Sequence, residues 1–307
     1  MSIINQVFPM IRNNEKIEKM LTYFCSNSFI KNNLKLRAIP IAHTYILDQP
    51  EIRIAQIGDF RFYVNIAEYS GVSLYFFCEH NEPFSAWLVS QLVNPGDVCI
   101  DIGANVGSYT FLMANSAGAE GQVFAFEPQP NLYNLLLDSV KMNQADGFIS
   151  VDCRALYSHS GEILKFYLSE NASNSGTSSL VNHGVFVRED HYISVETITM
   201  TDFFKIKSIN KCKLVKIDVE RAETEVLKGM VSLLKEKRID YIILEQLAGS
   251  EAQQILSSAN YDGWLIDEKQ KILSDVNSVV ADEFANYIFV SSNLINDFQQ
   301  QYANFFK

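Results

Sequence analysis

Short, continuous apolar segments constrain the fold of this chain more than any other sequence feature. A strand that is buried on both faces of a sheet shows no polar alternation, so such segments are typical of parallel sheets. Stretches with helical spacing of apolar residues separate the first few segments. This alternation predicts an α/β fold with a doubly wound, mostly parallel sheet. The strands are predicted at residues 98–102, 123–126, 149–152, 214–217, 241–244 and 287–290.

Three regions are predicted along the chain. Residues 1–80 form an N-terminal extension of a helix and short strands, residues 81–292 form the main domain, and residues 293–307 form a helical tail that docks on the domain or on a partner. The main domain contains the predicted sheet and is expected to carry the chemistry. The apolar residues that recur at helical spacing in the extension are Ile17, Met20, Leu21 and Phe24.

The net charge, the cysteines and the length of the apolar runs restrict which partners this protein is expected to have. Asp and Glu number 36 against 25 Lys and Arg, and the formal net charge of -11 repels a phosphate backbone unless basic residues cluster on one face. The five cysteines never form a C-x-x-C pair, and no apolar run approaches the roughly 20 residues that cross a bilayer. We therefore expect a cytoplasmic protein with no nucleic-acid or membrane partner. The densest basic group is expected to be a solvated edge and consists of Lys205, Lys207, Lys211, Lys213 and Lys216.

The strongest functional signal is a buried strand that runs directly into a glycine-containing turn at 98–107. Gly103 and Gly107 let the backbone approach a bound molecule, while Asp101 and Asn105 stand where an amino-acid group can be hydrogen-bonded. The spacing is G-x-x-x-G, so the G-x-G-x-x-G fingerprint that cradles a pyrophosphate is missing. An acidic residue before the first glycine suits a cationic ligand, which argues against an NAD-dependent oxidoreductase.

A second signal comes from the ends of the next two predicted strands. Glu127 places a carboxylate at the edge of the same crevice, where it can accept hydrogen bonds from a ribose diol. Asp152, at the end of the third strand, either faces an adenine or takes a turn or capping role, and Ala155 is assigned to the same site. The glycine turn and the strand-end acid together predict a nucleoside ligand.

Five motifs follow one another along the main domain. They are Asp-Ile-Gly-Ala-Asn-Val-Gly at 101–107, Phe-Glu-Pro at 126–128, Gly-Thr-Ser-Ser-Leu at 176–180, Lys-Ile-Asp-Val-Glu-Arg-Ala-Glu at 216–223 and Glu-Val-Leu-Lys-Gly at 225–229. In order and spacing they resemble the FkbM-type methyltransferase family, from Glu82 to Val290. The resemblance implies a class I methyltransferase fold with a seven-stranded sheet, S-adenosyl-L-methionine as methyl donor, and transfer to a hydroxyl oxygen of a secondary metabolite or sugar. Family members commonly carry glycine where this chain has Arg221, so this cation is expected to close or recharge the acceptor pocket.

Acidic residues at the ends of the fourth and fifth strands are the catalytic candidates. Asp218 is the first candidate for the base that removes the proton of the acceptor hydroxyl, because its strand ends beside the ligand crevice. Glu220 and Glu245 are further candidates, and Glu223 is expected to stabilise a helix start. Carboxylates at this point could also hold a divalent cation, but nothing in their spacing demands one, and no metal is assigned.

The polar stretch 169–179 looks like a long loop between two strand-like segments. Residues 176–180 within this region are interpreted either as a lid that closes over the cofactor or as an exposed linker. His183 and His191 are alternative bases, or are surface residues. The flanking segments are 163–168 and 192–198.

Two other functions stay open on sequence grounds. A non-catalytic binding protein on a methyltransferase-like fold is favoured if Arg221 blocks the acceptor pocket. An RNA methyltransferase is the enzymatic alternative, although the net charge opposes it. The favoured acceptor is a hydroxyl-bearing small molecule, and homodimer formation is left open.

Overall fold

The computed structural model describes residues 51–170, 175–182, 187–278 and 284–307. The helix predicted around Ile17 to Phe24 lies outside the described residues, as does His183. None of the helices within the described ranges is both long and apolar enough to cross a bilayer.

Strands and helices alternate through most of the described chain. The strands are β1 (Ile52–Ile57), β2 (Phe60–Asn65), β3 (Val98–Ile102), β4 (Gln122–Phe126), β5 (Ile149–Asp152), β6 (Ala155–Leu156), β7 (Ile163–Ser169), β8 (Val187–Ile198), β9 (Cys212–Ile217), β10 (Ile239–Gln246), β11 (Tyr261–Asp267), β12 (Ile272–Asp275) and β13 (Ala285–Ser291). The helices are α1 (Tyr69–Phe76), α2 (Pro83–Leu92), α3 (Ser108–Ala117), α4 (Pro130–Met142), α5 (Met200–Ile206), α6 (Glu223–Lys228), α7 (Val231–Lys235), α8 (Glu251–Ser258) and α9 (Ile295–Gln301).

The central sheet has the strand order β5-β4-β3-β9-β10-β13-β11-β12 in the described part of the chain. Strands β5, β4, β3, β9 and β10 run parallel, and β13 is antiparallel to both β10 and β11. The order reverses between β3 and β9, which places a ligand crevice at the carboxyl ends of these two strands. This is the class I methyltransferase fold, and it confirms the expected doubly wound sheet. The edge strand β12 adds an eighth strand to the seven that were expected.

The sheet is buried on both faces by two apolar clusters. Alternate residues of β3 point to opposite faces, so Cys99 packs with Phe111 and Leu136, whereas Ile100 packs with Phe203 and Met230. Burial on both faces explains why the strand sequences show continuous apolar runs.

The described part of the N-terminal extension shares the core of the main domain. In β2, the Phe62 ring stacks on Phe111 of α3 with ring centroids 5.2 Å apart. The Tyr63 backbone N–H donates to Ser139 Oγ of α4 at 2.9 Å. Residues 51–80 therefore pack as a layer of the main domain, while the predicted boundary at residue 80 stays a prediction.

The helical tail packs on its own domain. Phe298 of α9 is 1% exposed, and its ring centroid lies 5.5 Å from that of Trp264 in β11. The ring centroids of Phe305 and of Trp87 in α2 lie 4.7 Å apart. The tail thus covers aromatic surface that would otherwise be exposed to solvent.

Two carboxylates fix the loop that precedes α2. Glu268, from the turn between β11 and β12, accepts the backbone N–H groups of Phe84 and Ser85 at 2.7 and 2.8 Å and so caps the start of α2. Glu82 accepts a hydrogen bond from the Tyr109 hydroxyl at 2.8 Å and from Asn286 Nδ2 at 2.6 Å. This loop is therefore held against α3 and β13, beside the carboxyl end of β3.

Gly103 follows β3 at the point where its chain approaches the end of β9. Its φ of +79° lies in the left-handed region, and a Cβ added there would overlap the backbone carbonyl of Asp218. Glycine is therefore required by the contact between two strand ends as well as by its backbone conformation.

We predict that Gly103→Ala destabilises the protein by at least about 2 kcal/mol more than Gly161→Ala, since only the first substitution introduces a steric overlap. Gly161 is a matched control because its φ is +78° and a Cβ there meets nothing within 4 Å. Thermal and urea unfolding of both variants would measure the difference. Equal destabilisation would show that backbone conformation, and not the close approach to Asp218, is what requires glycine at 103.

Candidate active site

Two cavities lie at the carboxyl ends of the central strands and share Gly103. The first, the polar cavity, has about 670 Å³ of empty space and is open to solvent. The second, the apolar cavity, is smaller and is also partly open to solvent. The polar cavity is lined by Ser70, Leu74, His80, Asn81, Glu82, Asp101, Gly103, Ala104, Asn105, Val106, Ser108, Tyr109, Lys216 and Asp218. The apolar cavity is lined by Ile102, Gly103, Phe126, Pro128, Arg154, Ala155, Leu156, Phe166, Leu180, Val219 and Ala222.

The pair of cavities matches a ligand with one charged end and one flat, apolar end. Asp101, Gly103 and Asn105, predicted to bind the cofactor, line the polar cavity, and Ala155 lines the apolar one. The donor and acceptor groups of the polar cavity suit an amino-acid moiety, and the apolar walls suit an adenine ring. The residues present therefore fit S-adenosyl-L-methionine across Gly103.

Asp101 and Lys216 form the floor of the polar cavity. They are neighbours across the β3–β9 pair, and they are 1% and 3% exposed. Burial raises the pKa of Asp101, against the opposing effect of Lys216 and of the Thr110 hydroxyl, which donates to Asp101 Oδ2 at 2.6 Å. Asp101 is thus a buried acceptor next to a buried cation.

The buried position of Lys216 contradicts one prediction from the sequence. The lysine group was expected to be a solvated edge, but Lys216 points into the protein interior, with Nζ 2.8 Å from Asp218 Oδ2 and 4.6 Å from the centroid of the Tyr109 ring. The carboxylates of Asp218, Glu82 and Asp101 raise its pKa, although burial opposes this effect. A lysine inside the otherwise apolar run 214–217 was the sequence signal that could have identified it.

Glu127 joins the turns that follow β3 and β4. It is 5% exposed, and its two oxygens accept the backbone N–H groups of Asn105 and Gln129, each at 2.8 Å. Burial raises the pKa of Glu127 to about 7, although both hydrogen bonds favour the charged form. The carboxylate lines neither cavity, so its contact with a ribose stays a prediction.

Gly107 and Asp152 also lie outside the two cavity walls. Gly107 has a φ of +90°, and a Cβ there would overlap the side chain of Leu136. Glycine at this position therefore allows α4 to pack against the start of α3. Asp152 accepts two hydrogen bonds from the Arg154 guanidinium, at 3.0 and 2.6 Å. Arg154, rather than Asp152, is the charged residue that lines the apolar cavity.

The three predicted catalytic acids come together. One carboxylate oxygen from each of Asp218, Glu220 and Glu245 lies within 4.8 Å of those of the other two. Burial and the neighbouring carboxylates raise the pKa of Glu220 to about 7 and raise that of Glu245 still further. The cluster therefore retains at least one proton at neutral pH.

The turn between β9 and α6 carries two members of this acid cluster, Asp218 and Glu220. Glu223 is buried and accepts the backbone N–H groups of Val219 and Arg221 at 3.2 and 3.1 Å, which is the structural role expected of it. Arg221 has a φ of +78°, in the region that favours the glycine common in this family. Its side chain is exposed, lies 5.2 Å from the centroid of the Phe284 ring, and lines neither cavity.

The segment 176–180 packs on both turns of the site. Ser179 is fully buried, and its hydroxyl donates to the carbonyl oxygen of Glu220 at 2.5 Å. Ser178 Oγ donates to Gln129 Oε1 at 2.9 Å, and Leu180 lines the apolar cavity. This segment is therefore part of the cavity wall and not an exposed linker. His191, by contrast, is exposed on β8.

Raised carboxyl pKa values predict a pH-dependent effect of Glu220→Gln. The folded protein holds a proton on Glu220 up to about pH 7, whereas the unfolded chain releases it near 4.5, so ionisation reduces stability as the pH rises through this window. The variant should melt at a higher temperature than wild type at about pH 8, and the two should converge at about pH 5. The exposed Glu120→Gln serves as the control. A melting-temperature gap of equal size at both pH values would contradict the assignment.

The sequence matches the family described as Methyltransferase FkbM domain over residues 101–275, more than half of the chain. The chain therefore belongs to the FkbM methyltransferase family, as its motifs indicated. This membership confirms S-adenosyl-L-methionine as the cofactor.

Two curated relatives illustrate the range of similar proteins. The hexuronic acid methyltransferase AglP of Haloferax volcanii is 31% identical over 168 residues, which cover 55% of this chain and 63% of AglP. Methyltransferase 1 of Beauveria bassiana is 25% identical over 143 residues, 43% of this chain and 57% of the relative. The chain thus spans less than two thirds of the length of these relatives.

Solved structures with a similar fold share less sequence identity with this chain than these relatives do. A precorrin-6y C5,15-methyltransferase from Geobacter metallireducens is 13% identical, with a TM-score of 0.38, and the match covers 69% of this chain and 88% of that one. The fibrillarin pre-rRNA processing protein of Methanococcus jannaschii is 12% identical, with a TM-score of 0.39 over 80% and 84% of the two chains.

Proposed function

We propose that this protein transfers the methyl group of S-adenosyl-L-methionine to a hydroxyl oxygen of a small-molecule acceptor, and that a sugar is the acceptor class to test first. The observation that carries the proposal is the acid cluster of Asp218, Glu220 and Glu245, which adjoins the polar cavity through Asp218. An alcohol must lose its proton when its oxygen is methylated, and carboxylates at this place can accept it. Similarity to a hexuronic acid methyltransferase supports a sugar.

Asp218 is the proposed base. It belongs both to the acid cluster and to the wall of the polar cavity, so it lies between the acceptor side and the cofactor side. Lys216 fixes one carboxylate oxygen at 2.8 Å and leaves the other available to an acceptor hydroxyl. When bound, the cofactor supplies an electrophilic methyl group on a sulfonium that leaves as a neutral thioether.

Glu220 is proposed to receive the released proton from Asp218, whereas Glu245, whose pKa is raised to about 9, already holds a proton at neutral pH. Burial and the carboxylates of Asp218 and Glu223 raise the pKa of Glu220 to about 7, so it can take up a proton near neutral pH. Ser179 holds the carbonyl of Glu220 and thereby orients the turn that carries Asp218 and Glu220. These contacts would keep the acceptor oxygen in line with the methyl group.

A small acceptor is proposed in preference to RNA. The three carboxylates at the acceptor side would repel a phosphate backbone, in line with the net charge of -11.

The proposal of a non-catalytic protein depended on Arg221 blocking the acceptor pocket. Arg221 lines neither of the two cavities assigned to the cofactor, and its guanidinium lies over the Phe284 ring, so it leaves the cofactor site open; methyl transfer to an acceptor decides between the two proposals.

Asp218→Asn should lower the rate of methyl transfer by about 100-fold or more, since an amide cannot accept the hydroxyl proton. The assay follows labelled methyl from S-adenosyl-L-methionine into a panel of neutral sugars and hexuronic acids. Asp262→Asn, an exposed change on β11, should retain wild-type rates. Full activity of Asp218→Asn would remove Asp218 as the base, and no transfer by wild type to any sugar would count against the proposed acceptor class.

A further inference from the structure

His80 is a buried side chain that sequence reasoning missed and that the proposed reaction does not use. It lies in the loop between α1 and α2, outside the family match that begins at residue 101, and is 9% exposed. Its ring centroid lies 5.0 Å from that of Tyr109. The hydrogen bonds of Glu82 and Glu268 hold this loop in place, so the imidazole has a fixed position in the wall of the polar cavity.

The imidazole is neutral at physiological pH. Burial lowers the pKa of His80 to about 4, and the positive charge of Lys216 acts in the same direction, whereas Glu79 opposes both. A neutral imidazole has one N–H donor and one lone pair. It can therefore donate one hydrogen bond without adding a buried charge to the cavity.

The Nε2 atom of His80 is buried but has no hydrogen-bond partner among the described residues. A buried polar atom without a partner costs about 1–3 kcal/mol, so an unpaired nitrogen on a side chain that lines a cavity points to a ligand that binds there. The imidazole lines the same cavity as Ser108, the first residue of α3.

The start of α3 is suited to an anionic group. This ten-residue helix has no side-chain hydrogen bond at its N-cap, Gly107, so its first N–H groups are not satisfied by a capping side chain. Backbone N–H groups and the helix dipole favour an anion at this position. Lys216 adds a positive charge to the same cavity wall.

We propose that His80 and the N-terminus of α3 bind the carboxylate of the amino-acid end of the cofactor, with His80 Nε2–H as the side-chain donor. The inference rests on the proposed function, methyl transfer from S-adenosyl-L-methionine. The apolar walls of the second cavity suit the adenine, which leaves the polar cavity for the amino-acid end. Asp101 then faces the ammonium group, so the carboxylate and the ammonium each meet a group of opposite polarity. The described part of the N-terminal extension thereby completes the cofactor site.

The test compares S-adenosyl-L-methionine with decarboxylated S-adenosylmethionine, which lacks only the carboxylate. Calorimetry on the full chain measures the affinity of wild type, His80→Phe and His80→Gln for both compounds. His80→Phe keeps an aromatic ring against Tyr109 and removes the donor, whereas His80→Gln restores an N–H donor near the position of Nε2. Thermal unfolding of each variant reports whether the fold is retained.

Wild type should bind S-adenosyl-L-methionine at least about tenfold more tightly than the decarboxylated compound. His80→Phe should lose about tenfold in affinity for the first compound and change by less than about twofold for the second, with His80→Gln recovering most of the loss. Equal wild-type affinity for the two compounds would overturn the inference, as would a variant that weakens both equally or neither. Wild-type binding of neither compound would instead overturn the proposed function, which depends on this cofactor.

Discussion

Two strand ends meet at Gly103, where the backbone of β3 leaves the sheet against the carbonyl of Asp218 at the end of β9. Because a side chain cannot fit between them, this contact fixes how far the two turns stand apart. The polar cavity opens on one side and the apolar cavity on the other. The cofactor site, the acid cluster and the packing of the segment 176–180 all depend on this one separation.

The electrostatics of the site follow from placing several carboxylates around one buried lysine. Lys216 pairs with Asp218 and lies beside Asp101 in the sheet, so its positive charge is close to both carboxylates. Burial, followed by repulsion from the carboxylate of Asp218, raises the pKa values of Glu220 and Glu245. One group of acids is therefore suited to a cationic ligand, and the other is suited to hold a proton.

The sequence predicts those parts of the fold and site that lie within one strand and its following turn. Strand β3, Gly103 and the acids after β9 and β10 were recognisable because periodicity and motif spacing are local properties. His80 had no such signal, since loop contacts with α3, β11 and β13 bring it to the cavity. Lys216 was grouped with surface lysines because clustering along the chain does not report which face of a strand a residue occupies. Strands β11 and β12 were missed because their partly polar segments lack a continuous apolar run.

A crystal structure of the protein with S-adenosylhomocysteine would show directly whether the cofactor occupies both cavities. We predict that the ligand crosses Gly103, with the adenine against Ala155 and Leu180 and the amino-acid end in the cavity lined by Asp101 and His80. An adenine in the polar cavity, or a ligand bound away from Gly103, would contradict it.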